Sequence, residues 1–189
     1  MAKGTVDRKL LASYLNDHLA GATAGRDLAR RARGSNRGNS FGGFLEGLAE
    51  EIDGDRRTLE ELMDRLDIGT DRMKVYAGWV GEKVGRLKLN GRILGYSPLS
   101  RLVELEGLWI GVNGKLSLWQ SLRSVADLDP ALEGFDFDAL IARAERQLEG
   151  LEKQRIDAAE LALTGTDEVG AAPARTKAPT KARTKSRAR

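Results

Sequence analysis

His18 and Asp55 stand at positions where an apolar helical stripe would hold leucine. Leu11, Tyr14, His18, Gly21, Gly25, Leu28 and Ala32 recur at alternating steps of three and four residues. Leu45, Leu48, Ile52, Asp55, Leu59, Leu62 and Leu66 do the same. That spacing lays each set along one face of an α-helix. An unpaired charge on such a face costs several kcal/mol, so each polar residue calls for a partner.

Three chemistries answer that need. The first is a metal. Tyr14, Asp17 and the only histidine, His18, lie in the first helical stretch, and Glu50, Glu51 and Asp55 lie near the middle of the second. Glu82 and Glu106 come from two later stretches. Carboxylates and an imidazole converging from four helices are the ligands of an iron or manganese site inside a bundle. The second is a paired polar layer, with His18 and Asp55 bonded to each other or to Tyr14, Lys115 or Arg155, fixing helix register. The third is a small-molecule pocket lined by Tyr14, His18, Trp79 and Trp109. The sequence favours the paired layer and no cofactor.

Catalysis finds little support. With one histidine, no cysteine and no serine in a Gly-x-Ser-x-Gly setting, few nucleophilic arrangements can be built. Gly78-x-x-Gly81 and Gly111-x-x-Gly114-Lys115 lack the spacing of a phosphate loop and fall inside helical stretches. The expectation is a non-enzymatic protein acting through binding or assembly, with self-association through helix faces.

The elements that position these residues are helices. Asp7 or Thr5 can cap a first helix running to about Arg33, and Ser40 a second from about Phe41 to Leu66. A third is expected over about residues 71–89, antiparallel to the second, with Gly78, Gly81 and Gly85 near one face. Ser97 and Pro98 open a fourth, to about Ala126, with a stripe of Leu102, Leu105, Trp109, Val112, Leu116 and Trp119. A fifth, about Phe135 to Leu163, carries Phe137, Ile141, Ala144, Leu148, Leu151, Arg155 and Ala158 on its seam. Five long helices and no convincing strand describe an all-α antiparallel bundle over residues 1–164.

From residue 165 the large apolar residues give way to Gly, Ala, Pro, Thr, Lys and Arg, a composition expected to stay disordered. Of 31 basic residues, seven lie from Arg175 onward, where there is no acid, so the rest carries 24 basic against 28 acidic residues. Arg175, Lys177, Lys181, Arg183, Lys185, Arg187 and Arg189 can neutralise phosphates and so make sequence-independent contact with nucleic acid. The start of the chain lacks a signal-like apolar run, and no stretch is long and apolar enough for a membrane span, so a cytoplasmic protein without membrane contact is expected.

The segments YLNDHLAGATAG (Tyr14 to Gly25), GEKVGRLKLNGR (Gly81 to Arg92) and SPLSRLVELEGL (Ser97 to Leu108) resemble a group of uncharacterised actinobacterial proteins within the ferritin-like helical bundles. The resemblance covers most of residues 7–160 and implies a ferritin-like fold. The ferritin-like di-iron pattern takes a Glu on two helices and Glu-x-x-His on two others. Here Asp17 or His18 stands for one ligand and Glu82 for another, Glu50-x-x-Asp53 replaces one motif, and Glu106 is followed three residues on by Trp109. The tail resembles the basic tails of linker histones and of some actinobacterial nucleoid proteins in composition.

Overall fold

A computed structural model describes residues 5–69 and 96–165 of the chain. These residues are all-α, with no strand among them. Helix α1 spans Arg8–Ser35, α2 Gly42–Arg65, α3 Pro98–Val125 and α4 Phe137–Thr164. Two 3-10 turns, Ala126–Leu128 and Pro130–Leu132, join α3 to α4. The helix expected over 71–89, with Trp79, Glu82 and its three glycines, lies outside the described residues, and so does the tail from residue 166 onward.

Local chemistry fixes the helix starts. Asp7 Oδ1 accepts from the backbone N–H groups of Lys9 and Leu10 at 2.9 and 3.0 Å, satisfying two orphan donors of α1. Ser97 caps α3 through the Ser100 N–H at 3.1 Å, with Pro98 as the first helical residue. Asp136 caps α4, and Gly165, at φ 72°, ends it in the left-handed region that glycine enters without strain. Ser40 does not cap α2. The side chain of Asn39 instead accepts from the Phe41 N–H at 3.0 Å, and the helix starts one residue later than expected. Phe41 is then driven into the core, with the Arg101 guanidinium 4.5 Å over its ring.

Side-chain pairs give the helix directions. Arg30 meets Asp53 at 3.3 Å and Arg8 reaches Leu66 O at 3.2 Å, so α1 and α2 run antiparallel. Arg31 meets Glu104 at 2.7 Å and Tyr14 meets Ser121 at 3.2 Å, so α1 and α3 are antiparallel too. Arg123 pairs with Asp138, and Lys115 with Gln147, which sets α4 against α3. Arg143 and Gln147 reach Asp55 and Glu51, which sets α4 against α2. Helices α2 and α3 are therefore parallel. The chain leaves α2 where Leu66 O accepts from Arg8, at the start of α1, and enters α3 where Tyr96 bonds Asn36, at the end of α1.

The core falls into two clusters. One gathers Leu15, Leu19, Leu59, Leu62, Met63, Leu118, Trp119, Leu122 and Phe137 around the start of α1. The other gathers Ala29, Ala32, Phe41, Leu45, Leu48, Leu105, Leu108, Ala144 and Leu151 around its end. What separates them is polar.

Candidate functional site

Three helices change character at one level. On α1 the apolar core pauses at Gly21 and Gly25, between Leu19 and Ala29. On α2 it pauses at Asp55, between Ile52 and Leu59, and on α3 at Lys115, between Val112 and Leu118.

Asp55 is 2 % exposed and ion-paired through both carboxylate oxygens. The Lys115 ammonium donates to Oδ2 and the Arg143 guanidinium faces Oδ1. Gln147, itself buried on α4, accepts from Lys115 through its amide oxygen and donates from Nε2 to Glu51 at 2.7 Å and to Asp55 at 3.4 Å. Gln147 thus joins one cation and two carboxylates, and Arg143 brings a second cation to Asp55, so three helices meet in one layer. Such a layer stabilises only when every member is satisfied, because each buried charge carries a desolvation penalty. Burial pushes the Lys115 ammonium below the ordinary lysine range; Asp55 opposes that shift and Arg143 adds to it.

Beside this layer runs a cleft of about 340 Å³ between α1, α2 and α3. Its walls include His18, Gly21 and Gly25 of α1, Ile52, Asp55 and Leu59 of α2, and Gly111, Gly114, Lys115, Leu118 and Trp119 of α3. The glycines explain its shape. A Cβ at Gly107 would come within 3.0 Å of Leu28, so there α1 and α3 approach closely. One to two turns further along, the same antiparallel register sets Gly21 opposite Gly114 and Gly25 beside Gly111. A Cβ at any of these four would meet no described atom within 4 Å. Among the described residues no close contact requires these four glycines, and the space beside them is open.

His18 is half-buried on this wall, with its ring edge against Tyr14 at 4.5 Å between centroids. Burial holds its pKa below 6.5, with Asp17 opposing the shift, so the imidazole is neutral at pH 7. Trp119 is 1 % exposed, and its indole N–H has no hydrogen-bond partner among the described residues. A buried donor left unmatched costs about 1–3 kcal/mol.

Asp55 lies in the core as its spacing requires, and Lys115 is its partner. His18 and Asp55 both line the cleft, but Asp55 is held by Lys115, Arg143 and Gln147 and not by His18. Arg155 pairs with Glu152 on the surface of α4. Tyr14 bonds Ser121 and meets His18 edge-to-face. Asp17, Glu50 and Glu106 are exposed, and Glu51 touches the layer only through Gln147. Among the described residues no group of three or more His, Asp or Glu could hold a metal. Glu82 and Trp79 lie outside them. Trp109, expected on the core stripe and in the pocket, is 37 % exposed, and Trp119 takes the place by the cleft.

Arg143 and Gln147 are the members that spacing did not single out. Gln147 sits between Ala144 and Leu151 on the buried stripe of α4, a polar interruption of the same kind as Asp55. A second buried network also went unmarked. Asn36, fully buried, accepts from Arg101 Nε at 2.6 Å and donates to Tyr96 Oη at 2.7 Å. Tyr96 donates to Glu104, which also binds Arg31. Burial and the Glu104 carboxylate raise the Tyr96 phenol well above its ordinary range. All these groups are satisfied by one another, which makes the network a clamp between the end of α1 and the start of α3.

No protein family, no curated protein and no solved structure compared with the chain gives a match. Among the described residues no helix is long and apolar enough to cross a membrane.

Proposed function

We propose that this is a non-enzymatic binding protein, a helical bundle that holds a small, mainly apolar molecule in the cleft between α1, α2 and α3. The observation that carries this reading is the paving of the cleft. Four glycines sit in long helices at up to about 1 kcal/mol each relative to alanine, and none is needed for contact with a described neighbour. Ligand sites in bundles lie between helices, are mostly apolar and start at about 300 Å³. The direction of the helices supports a ferritin-like arrangement, since parallel α2 and α3 require one long crossover connection. The metal-dependent alternative is disfavoured because the position beside Asp55 is taken by the Lys115 ammonium and the Arg143 guanidinium.

The test is titration of the full chain with N-phenyl-1-naphthylamine, an uncharged apolar fluorophore. Saturable one-to-one binding is expected, weakened about tenfold or more by Gly111→Leu, whose side chain would enter the cleft. Gly25→Leu repeats the test from the opposite wall. Equal binding by wild type and both variants, or no binding, would reject the reading.

A second activity is supported by charge segregation. Seven cations without an acid from Arg175 onward would contact phosphate backbones without reading sequence, with a salt slope near about −6 if all engage. A DNA gel shift at two salt concentrations, with and without residues 170–189, tests it. Equal retention by both chains would end it.

A further inference from the structure

We infer that the cleft selects an apolar molecule with an uncharged hydroxyl head, which bonds the imidazole of His18. The inference rests on the cleft being a binding site and goes on to name the class of ligand.

Most polar groups near the cleft are already spoken for. Lys115 is engaged by Asp55 and Gln147, and Gln147 in turn by Glu51. His18 differs. It lines the cleft, is half-buried, and meets the Tyr14 ring edge-to-face. Among the described residues neither of its ring nitrogens has a hydrogen-bond partner, and neither is sealed from solvent as the Trp119 indole nitrogen is. An apolar ligand seated against this wall would strip water from the imidazole. A head group that bonds the ring replaces that water.

Charge decides the kind of head. The other titratable and charged groups around the cleft are Tyr14 and Asp17 on α1, Asp55 and Arg56 on α2, and Lys115 on α3. Lys115 is held by Asp55, and Arg56 by Glu60 and Asp53. A carboxylate head would lose its hydration with no unpaired cation to receive it. An ammonium head would find only Asp17, and a pair with so exposed a carboxylate is worth little. Burial holds the imidazole below its ordinary pKa, so at pH 7 it is itself neutral.

A neutral imidazole offers one N–H donor and one lone-pair acceptor. A hydroxyl both donates and accepts, so it matches whichever ring nitrogen it meets. An ether or ketone oxygen can only accept, and a hydrocarbon can do neither. Elsewhere the wall carries Ala22 of α1, Ile52 and Leu59 of α2, and Leu108 and Val112 of α3, which receive the apolar body.

Three probes on one ring system separate the terms: 2-naphthol; 2-methylnaphthalene, with a methyl in place of the hydroxyl; and 2-naphthoate, the anion. Each is titrated into the untagged, ¹⁵N-labelled full chain at neutral pH. His18 is the only histidine, so the imidazole ¹⁵N signals belong to it alone. The naphthol is expected to move an imidazole signal that methylnaphthalene leaves nearly in place. The naphthoate is expected to bind more weakly than the naphthol. In His18→Phe, which keeps a ring beside Tyr14, the ratio of naphthol to methylnaphthalene affinity is expected to fall about fivefold, the size of one net hydrogen bond. Comparing ratios cancels the difference in hydrophobicity between the two probes. If the ratio is unchanged in His18→Phe, or the wild-type imidazole signals ignore the naphthol, while Gly111→Leu still blocks both probes, the hydroxyl head is refuted and the binding site stands. Should His18→Phe not fold, the wild-type imidazole signals decide. If the naphthoate binds tightest, neutrality is refuted. If no probe binds in a manner blocked by Gly111→Leu, the binding site itself fails and this inference with it.

Discussion

Asp55 is held by more partners than its spacing suggests. A carboxylate in an apolar seam announces that something must balance it, and Lys115 was among the partners the spacing allowed. That Arg143 and Gln147 join them follows from α4 crossing the same level, which no single-helix periodicity reports. Asp55→Ala leaves one buried ammonium and one half-buried guanidinium without their shared anion. Its expected cost is about 3 kcal/mol, read as a lower urea midpoint. Asp55→Leu combined with Lys115→Leu should recover most of that loss, whereas Asp55→Leu combined with a change at His18 should not. A neutral Asp55→Ala would show that the layer contributes nothing.

His18 gives a second check, through pH. Its folded-state pKa lies below 6.5 because burial disfavours the imidazolium. In the interval beneath 6.5 the unfolded chain binds a proton that the folded chain does not, so stability rises with pH there and falls on acidification. His18→Gln is expected to flatten that acid limb in urea midpoints taken between about pH 7 and about pH 5. An unchanged limb would place the titration elsewhere.

The helices were legible where one face meets one neighbour. The seam of α2, from Leu45 through Asp55 to Leu66, is buried at every position, because α2 turns a single face inward. On α1 the spacing found Leu11 and Ala32, which are buried, but between them it chose Tyr14, His18, Gly21 and Gly25, where the buried residues are Leu15, Leu19 and Ala29. Both sets have helical period. One faces the core and the other the cleft, and periodicity cannot tell two adjacent inward faces apart. On α3 the apolar residues run around the whole helix, so Trp109 and Ile110 end up exposed while Leu108, Leu118 and Trp119 are buried. On α4, Leu148 is only partly buried and Arg155 lies at the surface; Gln147 takes the seam position instead.

Glycines divide by what surrounds them. A Cβ at Gly150 would come within 2.4 Å of the Phe44 ring, so α4 and α2 touch there only because Gly150 has no side chain. Gly150→Ala should lower stability by about 1–2 kcal/mol as Phe44 is pushed aside. Gly111→Ala, with open space around its new methyl, should raise stability by up to about 1 kcal/mol through helix propensity. Thermal unfolding of the two variants compares them directly. If both lose stability alike, the cleft glycines are contact glycines and the distinction drawn here is void.

At the scale of the whole molecule, the described residues form two apolar clusters joined through a charge-paired polar layer, with a cleft lined by glycines beside it. The all-α class was legible because long periodic stretches and cap residues such as Asp7, Ser97 and Pro98 agree with each other. Asp17, Glu50 and Glu106 are exposed and form no metal-binding group among the described residues, since helical spacing fixes a level along the axis but not the direction a side chain faces. The cleft was unreadable as well. It arises from the pairing of glycines on α1 with glycines on α3, a relation between distant segments that becomes visible only once the antiparallel register is known.

The most direct measurement is a map of backbone amide shifts in the ¹⁵N-labelled full chain as N-phenyl-1-naphthylamine is added. The expected map concentrates on residues 17–25 of α1 and 108–119 of α3, with α2 responding around Asp55 and the far end of α4 silent. A map centred instead on the exposed apolar residues Ile110, Ile156 and Leu163, or one with no localised response, would contradict the account.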